Sequence, residues 1–93
     1  FILQQTHTTY EFALYDTNVW GNPLFMDEVH DYEDHAQCFV YQNRKKNQFY
    51  CFDKKQKKII FETKLEAEMK KHLQETYGIS DMNLKAIRLN EME

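Results

Sequence analysis

A chain of 93 residues is long enough for one modest core, hiding roughly 60–65% of the surface its unfolded form exposes, and it reads as a single domain over residues 1–93. Hydrophobic residues at 42% and charged ones at 29% read as a globular, soluble protein. No apolar run approaches the ~20 residues that would span a bilayer.

The net charge of −3 conceals a strong polarity. Residues 1–42 hold seven acids and no Lys or Arg, residues 43–58 hold seven bases and one acid, and residues 59–93 hold seven acids and five bases. Such an uneven layout bears on association more than the mild net acidity does.

Residues 1–5 form an apolar start that either extends a strand or dangles. Residues 8–15 alternate, with Tyr10, Phe12 and Leu14 on one side and Glu11 and Ala13 on the other, which predicts a half-buried strand. Residues 16–21 are a turn or loop holding Trp20. Asn22-Pro23 is a helix-start signature, with Asn as cap and Pro at the first helical position. Leu24, Phe25, Val29 and Tyr32 then lie on one side of a short helix over residues 22–34, a long ordered loop being the alternative.

The next stretch organises the chain. Residues 38–42 and 47–52 are rich in β-branched and aromatic residues and flank the basic turn 43–46, a hairpin signal. A second basic turn, 54–57, leads into a third strand from Lys58 to Phe61. With two four-residue loops, Gln42 faces Asn47, Asp53 faces Lys58, and Cys38 opposes Cys51. One face then carries Phe39, Tyr41, Tyr50, Phe52, Ile59 and Phe61, and the other Cys38, Val40, Phe49, Cys51 and Ile60. Both faces are apolar, so each needs a cover.

Thr63 with Glu66 makes a capping box, Leu65, Met69, Leu73 and Tyr77 repeat every four residues as a helical stripe, and Gly78 suits the left-handed residue that ends the helix. The stripe is expected to pack on the aromatic face. Residues 84–89 read as a last strand with Ile87 and Leu89 facing in. The expected fold is α+β: a mainly antiparallel sheet of about five strands, in the order strand, loop or short helix, three strands, long capped helix, strand.

For chemistry, residues 30–35 hold the densest set of metal-ligand types, and on a helix Asp27, His30 or Asp31, and Asp34 would share a face; His with carboxylates suits zinc, manganese or iron. No HExxH or EF-hand pattern accompanies them, and acidic segments are usually solvated surface. Cys38 and Cys51 fall mid-strand, where burial makes a thiol inert. His7, His30, His35 and His72 are scattered. No nucleophile is placed beside a base, so no catalytic residue and no cofactor is expected.

The two basic turns, Arg44, Lys45 and Lys46 with Lys54, Lys55, Lys57 and Lys58, form the candidate interaction surface. The run from Arg44 to Phe52 resembles the basic-aromatic strand of an RNA-recognition motif without its glycines. The expected function is a non-enzymatic protein-interaction module, such as a small inhibitor, immunity-type or regulatory protein. The alternative is a nucleic-acid-binding domain using the basic turns. A protein partner is expected, and a homodimer would bury the sheet face left open if residues 22–34 are a loop. No membrane association is expected. The expected compartment is the cytoplasm, in keeping with reduced thiols; because the chain starts at Phe1 rather than Met, the absence of a visible targeting motif decides little about it.

Overall fold

The computed structural model describes residues 1–7, 9–19 and 21–89. Strands β1 (Ile2–Gln5), β2 (Glu11–Tyr15) and β3 (Phe25–Glu28) form one antiparallel sheet in that order. Strands β4 (Asp31–Asp34), β5 (Cys38–Asn43), β6 (Gln48–Asp53) and β7 (Lys58–Thr63), with the short β8 (Lys85–Ala86), form a second, ordered β7-β6-β5-β4-β8. Its pairs are antiparallel throughout. A single helix, α1 (Glu66–Tyr77), follows β7.

The architecture is therefore mainly β, with two packed sheets and one short helix, and not an α+β layer of five strands under a long helix. The difference arises in residues 22–34. They form two short strands, β3 and β4, rather than a helix, because their side chains find partners far along the chain. Phe25 stacks on Tyr41 at 5.0 Å, and Tyr32 on Phe39 at 5.9 Å. Pro23 stands just ahead of β3, where its missing N–H costs no ladder bond.

The chain crosses from one sheet to the other between β3 and β4, at Val29 and His30. Val29 is buried and donates its N–H to the Tyr10 carbonyl (2.9 Å), while the His30 N–H donates to the Gln42 carbonyl (2.9 Å). The corner thus bonds to both layers.

The central hairpins form as their turn chemistry dictates, with one adjustment. Asn43 pairs with Gln48, so the first loop is residues 44–47, one residue later than expected. Asn43 Oδ1 accepts from the N–H groups of Lys45 (2.9 Å) and Lys46 (3.2 Å), and Asn47 closes the loop at φ 54°. The second loop repeats the device: Asp53 Oδ1 accepts from the Gln56 N–H (2.8 Å) and Lys57 has φ 59°. Asx side chains start such turns readily and Asn tolerates the left-handed region. Asp53 does face Lys58, whereas Cys38 lies opposite Asp53 and Cys51 opposite Val40.

The adjustment shifts pairing by two, an even number, so the β5 and β6 side chains keep the expected faces. A bulge at Ile60, between the pairs Phe52 with Ile59 and Cys51 with Phe61, moves only Phe61. Its ring joins the helix side and stacks on His72 at 4.3 Å.

Two cores result. The aromatic face, with Phe39, Tyr41, Tyr50 and Phe52, packs against Leu14, Phe12, Leu3 and Phe25 of the three-stranded sheet. The helix packs on the other face, where Met69 and Leu73 meet Cys38, Val40, Phe49 and Cys51. This reverses the expected pairing of helix and face. The helical stripe has two fully buried members, and Leu65 is 58% exposed. So narrow a stripe covers small thiols and Val40, whereas four aromatic rings take a whole sheet. Both faces are covered within one chain, which removes the open sheet face on which a homodimer was expected.

The helix starts later than its capping box implies. Leu65 holds the cap position without a side-chain bond. Thr63 ends β7 instead, its hydroxyl accepting from the Leu65 N–H (3.1 Å) and donating to Glu68 (2.6 Å). Gly78 ends the helix at φ 73°, as expected. Among the described residues no helix is long and apolar enough to cross a membrane.

Candidate functional site

The two basic turns do not make one surface. They lie at opposite ends of β6, and most of their charge is met by acids from the first 42 residues. Arg44 grips Asp31 with two nitrogens, at 2.7 and 2.6 Å. Lys45 lies 3.6 Å from Glu28. At the far end Lys54 Nζ donates to Asp34 (2.7 Å) and to the His35 carbonyl (2.6 Å), and Lys57 reaches Asp16 at 2.6 Å. Lys46, Lys55 and Lys58 have no acidic partner among the described residues. The polarity of the sequence is therefore largely satisfied inside the fold, acid segment against basic segment.

These pairs also lock the layers together. Glu28 and Asp16 belong to the three-stranded side, and Lys45 and Lys57 to the loops of the other sheet. Asp27 adds a clasp that involves no cation, accepting from the Tyr41 hydroxyl (2.8 Å) and from Asn43 Nδ2 (3.0 Å).

The expected metal residues are separated by the same arrangement. Asp27 sits on β3 and Asp34 on β4, with His30 at the corner between them, so no helix face unites them. The His30 ring packs tilted against Tyr10 at 4.7 Å, and its Nδ1 accepts from the Arg44 N–H at 3.0 Å. Among the described residues no three His, Cys, Asp or Glu side chains stand together as a metal site.

Cys38 and Cys51 are free thiols buried under α1. The contact with Cys51, followed by burial, pushes the Cys38 thiol up from its ordinary pKa. Close by, the Tyr77 hydroxyl donates to Asp53 (2.6 Å) and holds that carboxyl below the ordinary carboxylate range. His72 packs between Phe61 and Tyr77, where burial lowers its pKa.

The surface that stands out is one the sequence did not mark: the outer face of the three-stranded sheet. Register puts Ile2 opposite Tyr15 and Met26 opposite Ala13, all on the side away from the aromatic core. Ile2 is 50% exposed, Met26 52% and Val19, in the loop after β2, 60%. Ala13 beneath them is fully buried. Ile2, Tyr15 and Val19 line one concavity of about 500 Å³ with Gln4, Asp16, Thr17 and Gly21. An antiparallel sheet normally turns polar residues outward on such a face, and apolar residues grouped there mark contact surfaces. The alternation of residues 10–14 hinted at a polar outer side, and only pairing with β1 and β3 brings the apolar residues together. Trp20, singled out from the sequence, lies outside the described residues.

Comparisons with protein-family models, with curated proteins and with solved structures returned no match.

Proposed function

We propose that this chain is a non-enzymatic protein-interaction module, of the small inhibitor, immunity-type or regulatory kind, and that it docks its partner on the outer face of the three-stranded sheet. The observation that carries this reading is that Ile2, Val19 and Met26, each half or more exposed, lie on the outer side of a sheet that is ordinarily polar there, Ile2 and Val19 lining a concavity. Met and aromatic residues are enriched in protein contacts, and a few central apolar anchors dominate their energy. The thiols of Cys38 and Cys51 fit a reducing compartment such as the cytoplasm. The nucleic-acid alternative receives no support from the geometry, since the basic turns are split and four of their seven cations are paired.

The test uses a Val19→Asp, Met26→Lys double variant, both sites being exposed. Wild-type protein should retain a partner, or a second copy of itself in sedimentation equilibrium. The variant should bind at least about thirtyfold more weakly, the scale of one interface anchor, with an unchanged denaturation midpoint. Equal binding by both proteins removes this face from the function.

A further inference from the structure

The other side of the same sheet suggests a second activity, independent of the docking face. The two sheets do not close against each other along the β8 side, and a cavity of about 410 Å³ opens there. That volume lies within the roughly 300–1,000 Å³ typical of small-molecule sites. Its walls are apolar on both layers: Leu3, Phe12 and Leu14 on one, Tyr32, Phe39 and Ile87 on the other.

Its charged lining is of a different kind. Lys54, Arg88 and Asp34 all border the opening. Lys54 Nζ spends two of its donors on Asp34 and the His35 carbonyl, which leaves one. Arg88 is exposed and has no acidic partner among the described residues. The border thus holds two cations and one carboxylate, and that carboxylate is already bonded to one of the cations.

We propose that this cavity binds a small amphiphile, with its apolar body between the sheets and an anionic head at Lys54 and Arg88. A neutral head would forgo charge-assisted bonds to the guanidinium and ammonium groups. A cationic head would meet like charge and bring nothing to replace it.

Three probes of one chain length, decanoate, decanol and decylamine, test the proposal on the full chain by calorimetry and methyl NMR. Decanoate should bind one-to-one with shifts at Leu3, Leu14 and Ile87. Decanol should bind at least about tenfold more weakly and decylamine not measurably, following the energy of a hydrogen bond to a charged group. Arg88→Gln, at an exposed site, should weaken decanoate about tenfold and leave decanol unchanged. Ala86→Trp, at the exposed Ala86 on the cavity wall, should block decanoate and decanol, with the urea midpoint read alongside. Absence of saturable binding, equal affinity for the three heads, or decanoate shifts at Ile2, Val19 and Met26 instead would each overturn the proposal. An unaltered decanoate affinity in Arg88→Gln would do the same.

Discussion

Tyr41 is completely buried, yet its hydroxyl faces a carboxylate on the opposite sheet, so one side chain is both core and clasp. Burial, and then the bond to Asp27, raise its pKa above the ordinary phenol range; burial is likewise the main cause for Tyr50 and Tyr77. A group whose folded pKa is raised holds its proton more tightly in the fold. Its contribution is complete below the unfolded value, about 10 for tyrosine, and is lost as pH rises beyond it. Stability measured by urea unfolding should therefore fall above about pH 10. Tyr41→Phe should cost about 1–2 kcal/mol at pH 7, because Asp27 loses a donor, and should make the alkaline decline shallower. A variant that declines as steeply as wild type would remove Tyr41 from that account. Nothing near Tyr41 in sequence announces this role, since its partner lies fourteen residues away. The turn roles of Asn43 and Asp53 are different, because an Asx residue ahead of a basic run is a local signal and could be read directly.

At the scale of elements, legibility follows the distance over which each one is decided. Strands β5, β6 and β7 and helix α1 were readable because alternation, turn residues and Gly78 act within a few positions. Residues 22–34 carry an equally good local signature, Asn22-Pro23 with early acids, and it misleads. Phe25, Asp27, Asp31 and Asp34 are held instead by Phe39, Tyr41, Arg44 and Lys54, and tertiary contacts of that kind override propensity. Alternation gave the two side-chain sets of the large sheet but not which layer covers which. The face proposed for docking was hidden for the same reason, since Ile2 and Met26 come onto one side only through strand pairing. Gly78 is the sharpest single test of an element. At φ 73° a side chain there meets nothing within 4 Å, so any penalty comes from the backbone alone. Gly78→Ala should lower stability by about 1–2 kcal/mol, and Gly78→Asn by less, as thermal unfolding would show. Equal midpoints for glycine and alanine would mean that the helix ends elsewhere.

For the whole molecule, the uneven charge of the sequence becomes a matter of internal fit. Four pairs join an acid of residues 1–42 to a base of residues 43–58. Each is largely exposed on at least one side, so each contributes about 0.2–1 kcal/mol. Raising NaCl from about 10 mM to about 1 M shortens the screening length from ~30 to ~3 Å. The unfolding free energy should then drop by about 1–2 kcal/mol in total, and a rise would show that repulsion among the lysines outweighs these attractions. The passage at Val29 and His30 has a consequence for how the molecule could come apart. The peptide crosses between the layers there once, over two residues, and everything before it is a hairpin-built sheet with four carboxylates and no Lys or Arg. That segment is attached by the aromatic core it shares with the larger sheet, by surface ion pairs and by one short hinge, and short hinges favour exchange of an element between copies. Cut at the hinge, the two pieces should find each other again in solution. Left intact at high concentration, two molecules should be able to trade their acidic N-terminal sheets while each keeps the same native contacts.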